Sequence, residues 1–311
     1  MYDTVNFKLT TADVEGVSFI EETPCYLTEV ATHDYNGSIV VTGKLAELKV
    51  SINSWQVKVK DGSLCKWFLG DNFKSMGRGD VKRAVERLSD ELHLPMSRAS
   101  ITRLDVGCNI ITQHPTEVYI NHLGVLARAK RLLQPAGLYY HRRDELLCFY
   151  DKNREQRARG ELPPDLYRGR NVLRYEQRYI HRLASVLCVP TVTGATLFDE
   201  AFYIAVVKRW RDTYEEISKI NDIQLNFNSM KSKQQLYRFG VLSLVERAGG
   251  EVEFIGQIAE AQKRGDLSAK QAHDLRQAVK AACQEREGLT VKSEAIDELN
   301  KKIAEAVRFY R

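Results

Sequence analysis

The sequence predicts an α+β protein: an antiparallel β-sheet domain with crossing helices over residues 1–220, and a small all-α C-terminal domain over 221–311. Three observations predict it. Short segments of the first half alternate apolar and polar residues, the period of a half-buried strand. Two of them adjoin the turn dipeptides Asn36-Gly37 and Asp61-Gly62, which suit tight hairpins. Beyond residue 230 the apolar residues recur at helical spacing instead.

Residues 3–10 alternate, with Val5, Phe7 and Leu9 on one face, and predict an opening strand. Weaker strand signals follow at Tyr26–Ala31, Ser38–Val41 and Lys44–Val50, and Val57–Lys60 and Cys65–Leu69 flank Asp61-Gly62 as a second hairpin. Gly70–Gly79 is a Gly-rich connection without the G-x-x-x-x-G-K-S/T spacing of a nucleotide-binding loop, although its Lys74 and Arg78 could touch phosphate. Val81, Ala84, Val85, Leu88 and Leu92 form a helical stripe that Pro95 stops. Ile101–Ile110 is the strongest strand. His114-Pro115 opens a helix expected to reach about Leu133, and Leu138–Tyr140 pairs with Leu146–Tyr150 around a charged turn. Arg154–Arg170 reads as a loop or short helix, 171–180 as a strand and Phe198–Trp210 as a helix. Asn221–Ser229 reads as a linker. Helices are expected over about 231–247, 251–264, from the Ser268/Gln271 capping box onward, and over 293–310.

Composition sets limits on function. The 311 residues are 43% hydrophobic and 28% charged, as in soluble globular proteins, and no apolar run or leader pattern suggests a membrane span or secretion. Six cysteines, at 25, 65, 108, 148, 188 and 283, make no C-x-x-C pair, so neither a zinc cluster nor a disulfide framework is expected, and a reducing cytoplasm fits. The net charge of +5 is unevenly spread. Between Arg128 and Arg182 stand 14 Lys or Arg against seven Asp or Glu, the footprint of a polyanionic partner or a solvated loop.

That basic window adjoins the residues with chemical potential. On Ile101–Ile110 the even positions are core and the odd positions, Arg103, Asp105, Gly107 and Asn109, share the other face. A charged pair inside an apolar strand is costly unless used or fully paired. Glu176 lies between Arg174 and Arg178 on a second such strand. Both carboxylates can be hard-oxygen metal ligands or members of ion-pair rows. Tyr150 ends a third strand and precedes Asp151, Lys152 and Glu155. A tyrosine nucleophile, with an ordinary pKa near 10, needs a cation or base beside it and a polarised phosphate. Tyr140, Tyr175 and Tyr179 compete for that role. The seven histidines make no H-x-H pair, so a metal site here should be mainly carboxylate, with His141 or His181 as further candidates.

Four segments in order resemble the gene II/X replication initiators of filamentous bacteriophages, and more distantly plasmid rolling-circle initiators: GDNFKSMG after the early strands, ITRLDVGCNI, FYDKNRE and LRYEQRYIHRL. The likeness covers about residues 1–220. It implies that Tyr150 is the nicking tyrosine, with Lys152 and Arg174 as catalytic companions. It implies Asp105 and Glu176, with Glu155 close by, around Mg²⁺ or Mn²⁺. Apart from the resemblance, Arg157, Arg159, Arg168 and Arg170 are candidates for phosphate contact because they lie in a charged loop beside both site strands, and Arg103 and Arg178 on those strands are further DNA-binding candidates.

The implied activity is metal-dependent nicking and joining at a phage or plasmid origin. A 5′-phosphotyrosine link would form, and the free 3′-OH would prime rolling-circle replication. Origin DNA, double-stranded and locally single-stranded, would be the substrate. Host helicase and DNA polymerase would be partners in the bacterial cytoplasm. Two alternatives stand beside it: a metal-dependent nuclease using water, and a DNA-binding regulator without chemistry.

Overall fold

The computed structural model describes residues 1–223, 230–286 and 290–310. Ten strands form one antiparallel sheet: β1 (Tyr2–Thr10), β2 (Thr28–Tyr35), β3 (Ser38–Leu45), β4 (Leu48–Asn53), β5 (Gln56–Lys60), β6 (Ser100–Thr112), β7 (Lys130–Gln134), β8 (Gly137–His141), β9 (Glu145–Asp151) and β10 (Asn171–Tyr179). Their spatial order is β2-β3-β4-β5-β1-β6-β10-β9-β8-β7. The three chemistry-bearing strands, β6, β10 and β9, are therefore neighbours near the middle of the sheet, as the sequence predicts.

Helices join the strands in chain order: α1 (Phe19–Glu22), α2 (Leu64–Leu69), α3 (Arg78–Leu92), α4 (Thr116–Asn121), α5 (Lys152–Ala158), α6 (Leu183–Val186) and α7 (Glu200–Glu215). The C-terminal part contains α8 (Lys233–Arg247), α9 (Glu251–Arg264), α10 (Ala269–Gln284) and α11 (Glu294–Phe309). A short strand pair, β11 (Asp222–Ile223) with β12 (Thr290–Val291), stands at their base.

Alternation decides the two faces of the sheet. Leu104, Val106, Cys108 and Ile110 of β6 and Leu173, Tyr175 and Tyr179 of β10 are buried in one continuous core with residues of α3, α7 and α11. Tyr175 is stacked between Phe149 and Trp210, at 4.4 and 4.6 Å between ring centroids. The last helix belongs to this core through Ile296, Leu299, Ile303 and Val307. By contrast α8, α9 and α10 bury Leu242, Val245, Ile258, Ala272, Val279 and Ala282 among themselves in separate small clusters.

The structure corrects three local expectations. Cys65–Leu69 is helical, not a hairpin strand: Ser63 caps α2 by accepting the Lys66 amide at 2.9 Å, and Gly70 ends it with φ +86°. Lys44–Val50 is not one strand, because Ala46 turns with φ +51° between β3 and β4. The helix after His114 stops at Asn121 rather than near Leu133. Gly124 passes so close to Ser218 that a Cβ there would lie 2.4 Å from the serine Oγ, and Lys130–Gln134 is drawn into pairing with Gly137–His141. The loop or short helix expected over Arg154–Arg170 is borne out as a short helix: residues 152–158 coil into α5, whose N-cap Asp151 accepts the Arg154 amide at 2.9 Å. The linker expected at 221–229 lies outside the described residues from 224 onward.

Candidate active site

The polar face of β6, β10 and β9 forms the floor of a cavity of about 290 Å³. Cross-strand register assembles it. Arg178 lies opposite Asp105, Glu176 opposite Gly107 and Arg174 opposite Asn109. On the other side of β10, Tyr150 lies opposite Arg174. Gly107 leaves the space that Glu176 uses: a Cβ there would sit 3.0 Å from the Tyr175 carbonyl oxygen and 3.2 Å from the Glu176 Cα and Cβ. One wall is Asp61–Ser63 and Asn72; the other is Lys152, Glu155 and Arg159, on or just after α5.

Arg103 grips Asp105 with two hydrogen bonds, 2.8 Å from Nε and 2.6 Å from a terminal nitrogen. Arg178 Nε lies 3.8 Å from Asp105 Oδ2 and 3.3 Å from Glu176 Oε1, so those oxygens are within about 7 Å of each other. Arg174 is fully buried. It donates to Asp3, to Asn109 Oδ1 at 3.1 Å and to Glu176 Oε2 at 3.4 Å. Lys152 is buried and bonds Glu155 at 2.8 Å; Arg159 holds the same carboxylate at 2.6 Å. The Tyr150 hydroxyl, half-buried, donates to Glu176 Oε2 at 3.2 Å.

Burial works against the Glu176 charge, yet Arg174 and Arg178 hold its carboxyl below the usual range. Burial pushes Asp105 up, Arg103 pulls it back, and the nearby Glu176 charge adds to the rise. Tyr150 is pushed well above 10 by burial and by the Glu176 charge, with Arg174 opposing. Burial and the Arg174 charge lower Lys152, and Glu155 opposes them.

The other tyrosine candidates have structural roles. Tyr140 donates to the Gly124 carbonyl at 2.7 Å and Tyr175 to the Trp210 carbonyl at 2.9 Å; both are fully buried, as is Tyr179 on the core face. His141 and His181 are exposed and do not line the cavity. Arg103, Arg159 and Arg178 line it, whereas Arg157, Arg168 and Arg170 are exposed outside it, Arg168 paired with Asp165 at 2.9 Å.

Periodicity alone missed Asp3. A β-bulge between Tyr2 and Val5 puts both of those residues on the core side and turns Asp3 to the polar face. Ser63 then donates to Asp3, and Asn109 ties the 70–77 loop to the floor through the Asn72 and Phe73 carbonyls at 3.0 Å each.

Among the described residues no group of three or more His, Cys, Asp and Glu forms a ready-made metal cage. The lining is nevertheless suited to a cation shared with substrate. Asp105 and Glu176 are close enough for their like charges to interact. Asp3, Asp61, Asp105, Glu155 and Glu176 line the cavity against Arg103, Lys152, Arg159 and Arg178, with Arg174 buried behind Asp3 and Glu176, so the lining has no surplus of positive charge to draw in a phosphodiester by itself. Mg²⁺ commonly takes one or two carboxylates and completes its shell with water and phosphate oxygens.

The site thus places a tyrosine, two neighbouring carboxylates and several arginines on the polar face of a central antiparallel sheet. Residues 1–212 match the family of the replication-associated gene II protein, N-terminal region, and the chain belongs to that family, the filamentous phage gene II replication initiators. No curated protein sequence matches the chain. Among the described residues no helix is long and apolar enough to cross a membrane.

Proposed function

We propose that this initiator nicks and rejoins one strand of origin DNA by transesterification on Tyr150. The observation that carries the reading is the Tyr150–Glu176 hydrogen bond inside a polar cavity, with Tyr140, Tyr175 and Tyr179 all held in the core. Tyr150 Oη attacks the scissile phosphorus, and its proton leaves toward Glu176 Oε2, which it already faces. A bond forms between Oη and phosphorus as the bond to the 3′ oxygen breaks. That oxygen takes up a proton from solvent, matching the one Tyr150 releases through Glu176, and departs as a free 3′-OH. The phosphodiester count is unchanged, so no nucleotide need be hydrolysed, and the reverse attack by a 3′-OH rejoins the strand.

Burial and the Glu176 charge make Tyr150 hold its proton more tightly than a free tyrosine. Positive charge must therefore favour the phenolate. Arg174 brings such charge to Tyr150, and Lys152, positioned by Glu155, faces the phosphate from the wall. Asp105 and Glu176, with Glu155 opposite, would hold Mg²⁺ or Mn²⁺, which when bound polarises the phosphate. Arg103 and Arg178 orient the two carboxylates. Arg157, Arg159, Arg168 and Arg170 extend the cationic rim toward DNA.

The substrate is duplex origin DNA with a locally unpaired strand. A host polymerase extends the 3′-OH while a host helicase unwinds, in the cytoplasm of the bacterial host. The test incubates the protein with supercoiled origin DNA and Mg²⁺ or Mn²⁺, then assays nicked circles for covalent protein. A 5′-linked adduct is expected. Nicks bearing no protein would favour hydrolysis by water, and intact circles under all conditions would favour a binding role alone.

A further inference from the structure

The solvent face of the sheet beside the cavity carries an unneutralised group of lysines. In β1, β4 and β5, Val5, Phe7, Leu9, Leu48, Val50, Ile52, Val57 and Val59 are buried, and the residues between them face solvent on the same side as Arg103. There Lys8 lies directly opposite Lys58, and Lys49 lies directly opposite both Lys60 and Lys44. Like charges placed opposite each other destabilise a sheet. Among the described residues only Lys44 of these five has a carboxylate partner, Glu29 at 2.5 Å.

These lysines form two rows. One runs from cavity-lining Arg103 to Asn6, its partner on β1, then to Lys60, one residue beyond the Phe7–Val59 pair, and on through Lys49 and Lys44. The second runs from Ser100 through Lys8, Lys58, Ser51 and Thr42. From β6 to β3 each row crosses four inter-strand gaps, about 19 Å at the usual strand spacing. That spans roughly five to six nucleotides of one strand at the duplex rise of about 3.4 Å each. The residues of both rows are short polar groups and cations. A protein-binding patch would instead centre on aromatic or other large apolar side chains.

We infer that this face carries phosphates of DNA that leaves the cavity, laying the strand across β6, β1, β5, β4 and β3. The inference rests on DNA occupying the cavity, and not on Tyr150 being the nucleophile. The repulsion between paired lysines is then a cost that bound phosphates relieve.

The test compares full-length wild type with a Lys8→Gln/Lys49→Gln/Lys58→Gln/Lys60→Gln variant. Binding to a mixed-sequence 30-nucleotide single strand and to the corresponding duplex is measured across a salt series in EDTA, so that cleavage plays no part. The slope of log affinity against log salt should fall by about 2.8 on the single strand or about 3.6 on the duplex. A second variant, Lys263→Gln/Lys270→Gln/Lys280→Gln/Lys301→Gln, removes the same charge from exposed helical positions and should leave the slope near that of wild type. The melting temperature of the first variant should equal or exceed wild type. If that variant does not fold, Lys8→Gln/Lys58→Gln alone should lower the slope by half as much. An unchanged slope in the lysine-face variants, or an equal fall in both charge-matched variants, would overturn the inference. Neither result would bear on the covalent adduct, which tests the tyrosine separately.

Discussion

Tyr150→Phe separates chemistry from structure, because the geometry limits what the hydroxyl can contribute to folding. The change removes one hydrogen bond, to Glu176 Oε2 at 3.2 Å, the long end of the usual range. Glu176 does not become an orphaned buried charge, since Arg174 and Arg178 remain at 3.4 and 3.3 Å. The loss is therefore that of a single modest hydrogen bond, about 0.5–1.5 kcal/mol, without the larger penalty of an unsatisfied partner. For a chain of this size that corresponds to a fall in melting temperature of no more than about 4 °C. The phenyl ring keeps the packing. Nicking of supercoiled origin DNA and the covalent adduct should both vanish at every Mg²⁺ and Mn²⁺ concentration, while affinity for uncut DNA stays close to that of wild type. Denaturation, gel-shift and adduct assays on one preparation check all three. A folded Tyr150→Phe protein that still forms a 5′ adduct would refute the assignment.

Three further outcomes follow from the structure. Gly107→Ala places a methyl 3.0 Å from the Tyr175 carbonyl and against Glu176, so it should destabilise by about 1–3 kcal/mol in urea and reduce nicking more than DNA binding. Replacing Arg157, Arg159, Arg168 and Arg170 together with alanine should lower the salt slope of DNA binding by about 0.7–0.9 for each phosphate released; an unchanged slope would place DNA away from this rim. Burial lowers Lys219 from 10.5 to about 8, so the unfolded chain binds more protons between those values. The stability linked to this group is present above about pH 10.5 and lost as pH falls through 8. The urea midpoint of Lys219→Met should lack that rise.

Alternation made the central site legible because it is built on regular strands. Asp105 and Glu176 each stand in a period-two pattern, so their polar face could be read from sequence, and their strands do pair; Tyr150 follows Leu146 and Cys148 in a strand that is apolar on both faces, and only its pairing opposite Arg174 shows that it shares that face. Asp3 escaped because a bulge of one residue reverses the parity of β1, and parity is all that periodicity reports. Cys65–Leu69 misled because a short run rich in large apolar side chains suits either a strand or one helical turn, and the deciding signal was the Ser63 cap. The helix after His114 was overextended because Leu123 and Leu126 continue its apolar stripe, although both are buried without a helix there. Nor did the amphipathic pattern of the last helix reveal which surface it covers: residues 294–309 return to the sheet core, past the three helices that precede them in the chain.

That return gives the C-terminal helices a closed base. The chain departs at Asp222–Ile223 and comes back at Thr290–Val291, and these two segments are hydrogen-bonded to each other. Between them the described residues 230–286 hold the folded cluster of α8, α9 and α10, so in chain order the cluster is an insert closed by that strand pair. Closing a loop across a pre-paired stem costs little extra per residue added, so its length can vary with small effect on the body that supports it. Residues 224–289 should therefore be exchangeable for a short turn, with α11 still seated against α7 and β6. Evolution could likewise replace this insert with another module while the ten-stranded sheet remained unchanged.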